Sequence, residues 1–310
     1  MARSCRVRVP STTANLGPGF DTLGLAVSID NFITMEEAEQ SQDIQTEILI
    51  DWPQRREISI EAKDDLLLQT LACLAAETGR DLSGVKIKEE LAIGPARGLG
   101  SSATAIAGTL VAANHFFELD LSPKKLLSLA CQLEGHPDNI VPALKGGLVI
   151  ASYNNETEEI FWDKLLPHPA LEAAIIVPEL TSETAVQRSV IPTSFSLADV
   201  TFNLGRTALL PLAISSGRWQ ELKALMKDRL HQPYRCDNLK GWEKMLQLGY
   251  DSGALGIALS GAGPAILVLA RENIEEIAHK MMEVWQEEGI EAAVFPVQPD
   301  TRGSYLVVEE

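Results

Sequence analysis

The sequence predicts an α+β protein of two domains, and three observations lead there. Strand-like alternation and helical apolar stretches are mixed in both halves, without the regular βαβ rhythm of a doubly wound parallel sheet. The 310 residues suit two domains or one large one. Hydrophobic residues supply 45% and charged residues 22%, enough apolar material for a core, which excludes wholesale disorder. No internal repeat, low-complexity tract or long linker interrupts the chain, and the division is expected between residues 1–165 and 166–310.

Taken in order, Arg3 to Val9 alternates polar and apolar residues as a half-buried strand does. Pro10 is expected to stop it, and Leu23 to Ile29 reads as a second strand. Ile48 to Ile50 and Ile58 to Ile60, inside an acidic stretch, read as a surface hairpin. Asp64 or Asp65 is placed to N-cap a helix that carries Leu68, Leu71, Ala72 and Ala75 and ends at Gly79. Val85 to Lys88 alternates again. Ala103 to Phe117 is nearly uncharged all round, which describes a buried helix. Ser122 caps another helix, with Pro123 at its first position and its end near Glu134. Gly146 to Ile150 is glycine followed by strand, and Asn154 to Glu159 is a turn. The second half reads as a strand at Ala173 to Val177 and helices at Leu197 to Ser215 and Trp219 to Leu225. Strands at Ile257 to Leu259 and Ile266 to Leu269, a helix at Ile274 to Glu288 and a last strand at Ala292 to Val297 complete it.

Asp and Glu total 43 against 26 Lys and Arg, a net charge of -17. That balance argues against a nucleic-acid partner, which needs a concentrated basic face. An anionic ligand must then be held by backbone N–H groups, a metal ion or a few placed arginines. Cys5, Cys73, Cys131 and Cys236 lie far apart and form no C-x-x-C pair, which fits a reducing cytoplasm. No apolar core follows the charges of the first eight residues, so no signal peptide is expected. Ser252 to Ala270 is uncharged and of membrane-span length, but its glycines and Pro264 break it, so no membrane partner is expected.

Three loops combine glycine with hydroxyl or carboxamide residues. Pro95-Ala-Arg-Gly98-Leu-Gly100-Ser101-Ser102-Ala103 runs straight into the buried helix. Glycines there let the backbone close on a ligand, and N–H groups at a helix N-terminus attract phosphate. It is no Walker A loop. Gly98-x-Gly100-x-x-Ala103 fits the dinucleotide fingerprint but fails its context, because Glu118 and Asp120 end the helix instead of a following strand. The plain alternative is a turn that caps the helix. Ser11 to Asp21, with Asn15, Gly17 and Gly19, is either a wide turn or a second binding loop. Ser260-Gly-Ala-Gly-Pro264 is either a tight hairpin turn or a third. Glu134-Gly-His136-Pro-Asp138-Asn139, expected at a helix end, offers three titratable groups. Zinc would need further ligands that are not nearby, whereas Mg²⁺ needs only one or two carboxylates beside phosphate and water.

Together, the order Val9 to Asp21, Arg97 to Ala103 and Ser260 to Pro264 resembles the three motifs of the GHMP kinases (galactokinase, homoserine, mevalonate and phosphomevalonate kinases). Within that superfamily the first motif and Glu134 to Asn139 are similar to those of the homoserine kinases, and the resemblance covers nearly the whole chain. It implies a two-domain GHMP kinase architecture: an N-terminal α/β domain like the second domain of a small-subunit ribosomal protein, and a ferredoxin-like C-terminal domain, with ATP in the cleft. It further implies Mg-assisted phosphorylation of the L-homoserine hydroxyl to O-phospho-L-homoserine, in threonine biosynthesis. A homodimer is expected by analogy. A kinase of mevalonate or a sugar, or an inactive nucleotide-binding relative, stands as the alternative.

Residue by residue, the resemblance assigns Pro95, Ala96, Arg97, Gly98, Leu99, Gly100, Ser101, Ser102 and Ala103 to the phosphate loop, with Ser102 and Glu134 as Mg²⁺ ligands. Asn15, Asp21, His136, Asp138 and Asn139 fall at positions around the substrate amino group and hydroxyl, and Asp138 and Asn139 carry the catalytic assignment. Thr184 and Arg188 fit a T-x-x-x-R-x-x-x-P pattern ending at Pro192, and Arg235 matches a second arginine for the substrate carboxylate. Gly261 and Gly263 of the third loop join the substrate site. Two positions depart from the pattern: Gly94 stands where proline is usual, and Asp65 stands at the asparagine position expected to meet the adenine.

Overall fold

The computed structural model describes residues 3–38, 43–182, 184–237 and 239–307. Strand β1 (Ser4–Ala14) pairs antiparallel with β2 (Leu23–Glu37). Contrary to expectation, Pro10 does not end β1. A register shift between Pro10 and Ser11 absorbs the missing N–H donor, and the ladder continues to Ala14 opposite Gly24. The loop between β1 and β2 is therefore only Asn15 to Thr22.

The hairpin β3 (Gln45–Trp52) and β4 (Arg56–Ile58) forms, but not on the surface as expected. β3 also pairs with the strand at Val85–Ile93 and buries Ile48 and Ile50, and the second arm stops at Ile58. Helix α1 (Leu66–Thr78) is capped by Asp65, whose carboxylate accepts from the N–H groups of Leu67 and Leu68, an arrangement worth about 1 kcal/mol. Strand β5 (Val85–Ile93) buries alternate residues, and the loop after it feeds α2 (Ser101–Phe116). Helix α3 (Pro123–Glu134) ends on Gly135 in the left-handed conformation. The segment expected as that helix's end is instead a junction. His136 is extended and Pro137 opens a further helix, α4 (Pro137–Lys145), which places Asp138 and Asn139 in a helical first turn. Strands β6 (Leu148–Tyr153) and β7 (Ile160–Leu165) make a hairpin whose second arm was not read from the sequence, because exposed Phe161 and Trp162 break the alternation.

Next come β8 (Glu172–Pro178), α5 (Thr184–Ser189), α6 (Leu197–Ser216), α7 (Trp219–Leu225), α8 (Gln232–Cys236) and α9 (Trp242–Asp251). The chain then forms β9 (Gly256–Leu259), β10 (Ile266–Ala270), α10 (Ile274–Glu287) and β11 (Ala292–Val297). Helices α5, α8 and α9 were not foreseen. Two are only 6 and 5 residues long, too short to show a helical period.

The second sheet has the order β11-β8-β10-β9, all antiparallel, so its own strands run fourth, first, third, second: the ferredoxin-like arrangement. The uncharged stretch 252–270 is thus two buried strands and a loop, and among the described residues no helix is long and apolar enough to cross a membrane. The chain does not end in this sheet. Strand β12 (Tyr305–Val307) returns to pair with β1, so the first sheet runs β12-β1-β2-β5-β3-β4, with β6 on β2 and β7 on β6. A cut at residue 165 therefore severs a strand from its sheet.

Three apolar clusters follow from this layout. One lies between the first sheet and α1 to α4, around Ile33, Ile87, Leu71 and Ile106. Another, around Trp285, Met281 and Val268, fills the outer face of the second sheet. The cluster between them joins Leu23 and Leu25 of β2 to Ile175, Leu267 and Leu210, and so bonds the two halves into one body. The three glycine loops meet above that seam.

Candidate active site

The end of β1 and the two later loops are tied to one another by backbone. Gly261 N–H donates to Ala14 O at 3.1 Å, Thr12 N–H to Leu99 O at 3.2 Å and Ala265 N–H to Arg97 O at 3.3 Å. Ser260 Oγ donates to Gly98 O, and Asn15 Nδ2 donates to Gly261 O at 2.8 Å. Glycine is required here for contact between loops, a reason different from the one expected. A Cβ on Gly98 would lie 2.2 Å from Ser260 O, and one on Gly100 would lie 2.1 Å from Thr12 Oγ1. Both glycines also have positive φ, +82° and +69°.

Around this knot opens a cleft of about 570 Å³ lined by Asn15, Asp21, Gly98, Gly100, Ser101, Ser102, Glu134, His136, Asp138, Asn139, Arg188, Arg235 and Gly261. Most of the expected substrate and metal residues are thus brought together. Ser102 Oγ donates to Glu134 Oε1 at 2.7 Å across the start of α2. Burial raises the Glu134 pKa, with the Asp138 charge adding to it against His136 and Ser102. Asn139 Oδ1 accepts from Thr12 Oγ1 at 2.7 Å, and Asp138, 2% exposed, lies 3.2 Å from His136 Nδ1. Burial pulls the His136 pKa down, but the hydrogen bond and charge of Asp138, with Glu134 and Asp21, lift it to about 9. His136 is an imidazolium at neutral pH. A histidine raised in this way stabilises the fold fully below its unfolded value of 6.5 and loses that contribution as pH rises through about 9. Denaturant melts of wild type and His136→Gln should therefore differ most at acidic pH and converge above about 9. A gap that does not vary with pH would mean a neutral, merely packed ring.

The arginines are disposed differently. Arg188, 45% exposed at the side chain, donates to both oxygens of Asp21 at 2.8 and 2.9 Å. Arg235 is 5% exposed, yet among the described residues no carboxylate oxygen lies within 4.0 Å of it. Its Nε donates to Gln187 O at 3.1 Å and its Nη1 approaches His231 Nδ1 at 3.2 Å. A guanidinium only donates, so Nδ1 must accept and the His231 proton sits on Nε2, donating to Gly17 O at 2.7 Å. Full burial lowers the His231 pKa, consistent with that neutral tautomer. Burial, with repulsion from Arg188, lowers the Arg235 pKa to about 10, so the charge remains.

Residues 65–147 match the family described as GHMP kinases N terminal domain, and residues 210–287 match GHMP kinases C terminal. The homoserine kinase of Persephonella marina is 36% identical over 305 residues, covering 98% of this chain and 99% of that one. The chain belongs to the GHMP kinase family. A second relative, the homoserine kinase of Halothermothrix orenii, is 37% identical over 97% of this chain and 95% of its own. The homoserine kinase structure from Cytophaga hutchinsonii shares the fold, with a TM-score of 0.85 over 98% of this chain and 97% of that one at 24% identity. The two-domain architecture of the GHMP kinases, with mixed α and β content, is thus the fold of this chain.

Not every expected loop residue of this GHMP kinase faces the cleft. Arg97 is buried over the Trp52 ring, Leu99 belongs to the middle core, and Ala103 is fully buried. Gly263 lines a separate hollow beside Leu180 and Gln187, and the side chain of Thr184 lies outside the described residues. Pro95 and Asp65 line an apolar slot of about 610 Å³ that adjoins Ser101 and Ser102, while Ala96 faces the main cleft. Phe20 was missed. Its ring lies 5.1 Å from the Arg188 guanidinium and 5.4 Å from that of Arg235, and it spaces the two cations. His231, four residues before Arg235, was missed as that arginine's acceptor; the i, i+4 spacing was the available signal.

Proposed function

We infer that this protein is a homoserine kinase, which transfers the terminal phosphoryl group of ATP to the side-chain hydroxyl of L-homoserine and releases O-phospho-L-homoserine and ADP. The observation that carries the reading is Arg235: a buried cation with no carboxylate oxygen within 4.0 Å among the described residues, in the wall of a cleft that adjoins a phosphate loop. Such a charge is costly unless an anion joins it. A substrate carboxylate fits the guanidinium fork. The Asp21–Arg188 pair supplies the rest: an acid for the ammonium and a second guanidinium for the carboxylate. Mevalonate has no ammonium for Asp21, and a sugar has neither charge.

The phosphate loop at the start of α2 presents backbone donors and the Ser101 and Ser102 hydroxyls to the ATP phosphates. Among the described residues no group of three or more His, Cys, Asp or Glu side chains forms a metal site. Glu134 and Ser102, at 2.7 Å, still fit Mg²⁺ when nucleotide oxygens complete its shell. Bound there, Mg²⁺ supplies neutralisation of phosphate charge. The chain's own task is positioning, because phosphoryl transfer passes through a loose transition state that asks little of a base. Asp138 and Asn139, fixed by His136 and Thr12, orient the hydroxyl.

Measuring ADP release with L-homoserine, mevalonate and galactose in parallel tests the reading, and turnover of homoserine alone is expected. Release with either other substrate, or none, overturns it. Glu134→Gln should lower kcat strongly and raise the Mg²⁺ requirement while the melting temperature stays near wild type; an unchanged Mg²⁺ optimum would remove Glu134 from the metal. Asp21→Asn should raise KM for homoserine with little effect on ATP, and an unaltered KM would take the ammonium away from Asp21.

A further inference from the structure

Glu89 stands on the inner face of β5, in the series Val85, Ile87, Glu89, Leu91, Ile93, and is 4% exposed. Its Oε1 is buried without a hydrogen-bond partner. Among the described residues no hydrogen bond offsets the cost of burying that oxygen. Glu89 lines the apolar slot whose other walls include Ile48, Ile58, Leu66 and Leu91 and which also reaches Ser101 and Ser102 of the phosphate loop. Given the kinase reading, on which this inference rests, a nucleotide with its phosphates on that loop lays its flat base in this slot. The other charged side chains lining it are Asp64 and Asp65. Asp65 is occupied: one oxygen caps α1 and the other accepts from Thr46 Oγ1 at 2.8 Å.

We propose that Glu89, as a neutral carboxylic acid, reads the nucleobase by a paired hydrogen bond, donating its O–H to a ring nitrogen of adenine and accepting from the exocyclic amine. A neutral acid carries one donor beside one acceptor, as a glutamine amide does, and adenine's edge offers the matching acceptor and donor. The edge that discriminates is the one carrying N7, where adenine offers the N7 acceptor beside the N6 amine. Guanine offers two acceptors there, N7 and O6, and the acid's single O–H leaves one of them unpaired. An ionised carboxylate only accepts and would lose the ring nitrogen. The slot favours the neutral form: burial among aliphatic side chains, with the Asp65 carboxylate adding, pushes the Glu89 pKa up to about 8.

Calorimetry of the full chain with ATP, GTP and inorganic tripolyphosphate, for wild type, Glu89→Gln and Glu89→Leu, tests this. Wild type should prefer ATP over GTP by about tenfold or more, and its ATP affinity should fall between about pH 7 and about pH 9.5 as the acid ionises. Glu89→Gln should keep the preference and lose the part of the alkaline fall that tripolyphosphate does not share, since His136 in the adjoining cleft titrates at about 9 in every variant. Glu89→Leu should lose most of the preference, and tripolyphosphate should bind all three alike. An unchanged ATP-to-GTP ratio in the leucine variant overturns the role of Glu89. If that variant does not fold, an alkaline fall in the glutamine variant equal to that of wild type overturns it. Failure of wild type to bind either ATP or tripolyphosphate overturns the kinase reading instead.

Discussion

Arg235→Leu is expected to raise KM for homoserine at least about tenfold while KM for ATP changes little. The guanidinium is buried among Phe20, His231 and the Gly261 carbonyl, with no acid in ion-pair range among the described residues. Removing it leaves the substrate carboxylate in a cleft wall with only Arg188, which Asp21 already engages. Truncating one member of a buried charged pair costs about 2–5 kcal/mol, most of it from the charge left behind. Arg235→Lys keeps the charge but not the fork and should fall between leucine and wild type. Loss of ATP affinity with an unchanged homoserine KM would put the arginine on the nucleotide side and dismiss the substrate assignment. The variant's fold must be checked by its melting curve, since His231 Nδ1 and the Gln187 carbonyl lose a donor.

Gly98→Ala is expected to damage fold and function together. At φ +82° the left-handed conformation costs an alanine about 1–2 kcal/mol. The new Cβ would also meet Ser260 O at 2.2 Å and Gly263 O at 3.0 Å. Both are backbone atoms, so the third loop must move off the first, which adds about 1–3 kcal/mol of overpacking strain. Urea unfolding should show a lower midpoint, equivalent to a loss of about 2–5 kcal/mol of stability in all, and nucleotide affinity should fall because the loop donors are re-aimed. Full stability with wild-type ATP binding would mean that the loops are not mechanically joined through Gly98.

The glycine loops and the acid cluster were legible from residue types alone, because their chemistry is local. Consecutive N–H groups at a helix start attract phosphate wherever the helix lies, and a serine there is placed to meet the same anion. For the same reason the capped helices at Asp65 and Ser122 and the strands around Gly261 and Gly263 were found almost at their boundaries. That the body is α+β with mixed elements in both halves was equally plain from residue order, since alternation and helical period are properties of short windows.

What depended on distance in sequence was decided only by the tertiary structure. Tyr305 to Val307 is as plausible on a second sheet as on the first, and it is pairing with β1 at a sequence separation of 297 or more that settles it. Asp21 and Arg188 lie 167 residues apart, so no local pattern could reveal that each holds the other in the cleft. Glu89 occupies a core place in the alternation of β5, yet only the packing of β3, α1 and the phosphate loop around it turns a misplaced acid into the wall of a slot. The meaning of a buried charge lies in its surroundings. Desolvation and partner distance set its energy, and both are properties of the packed chain rather than of the residue.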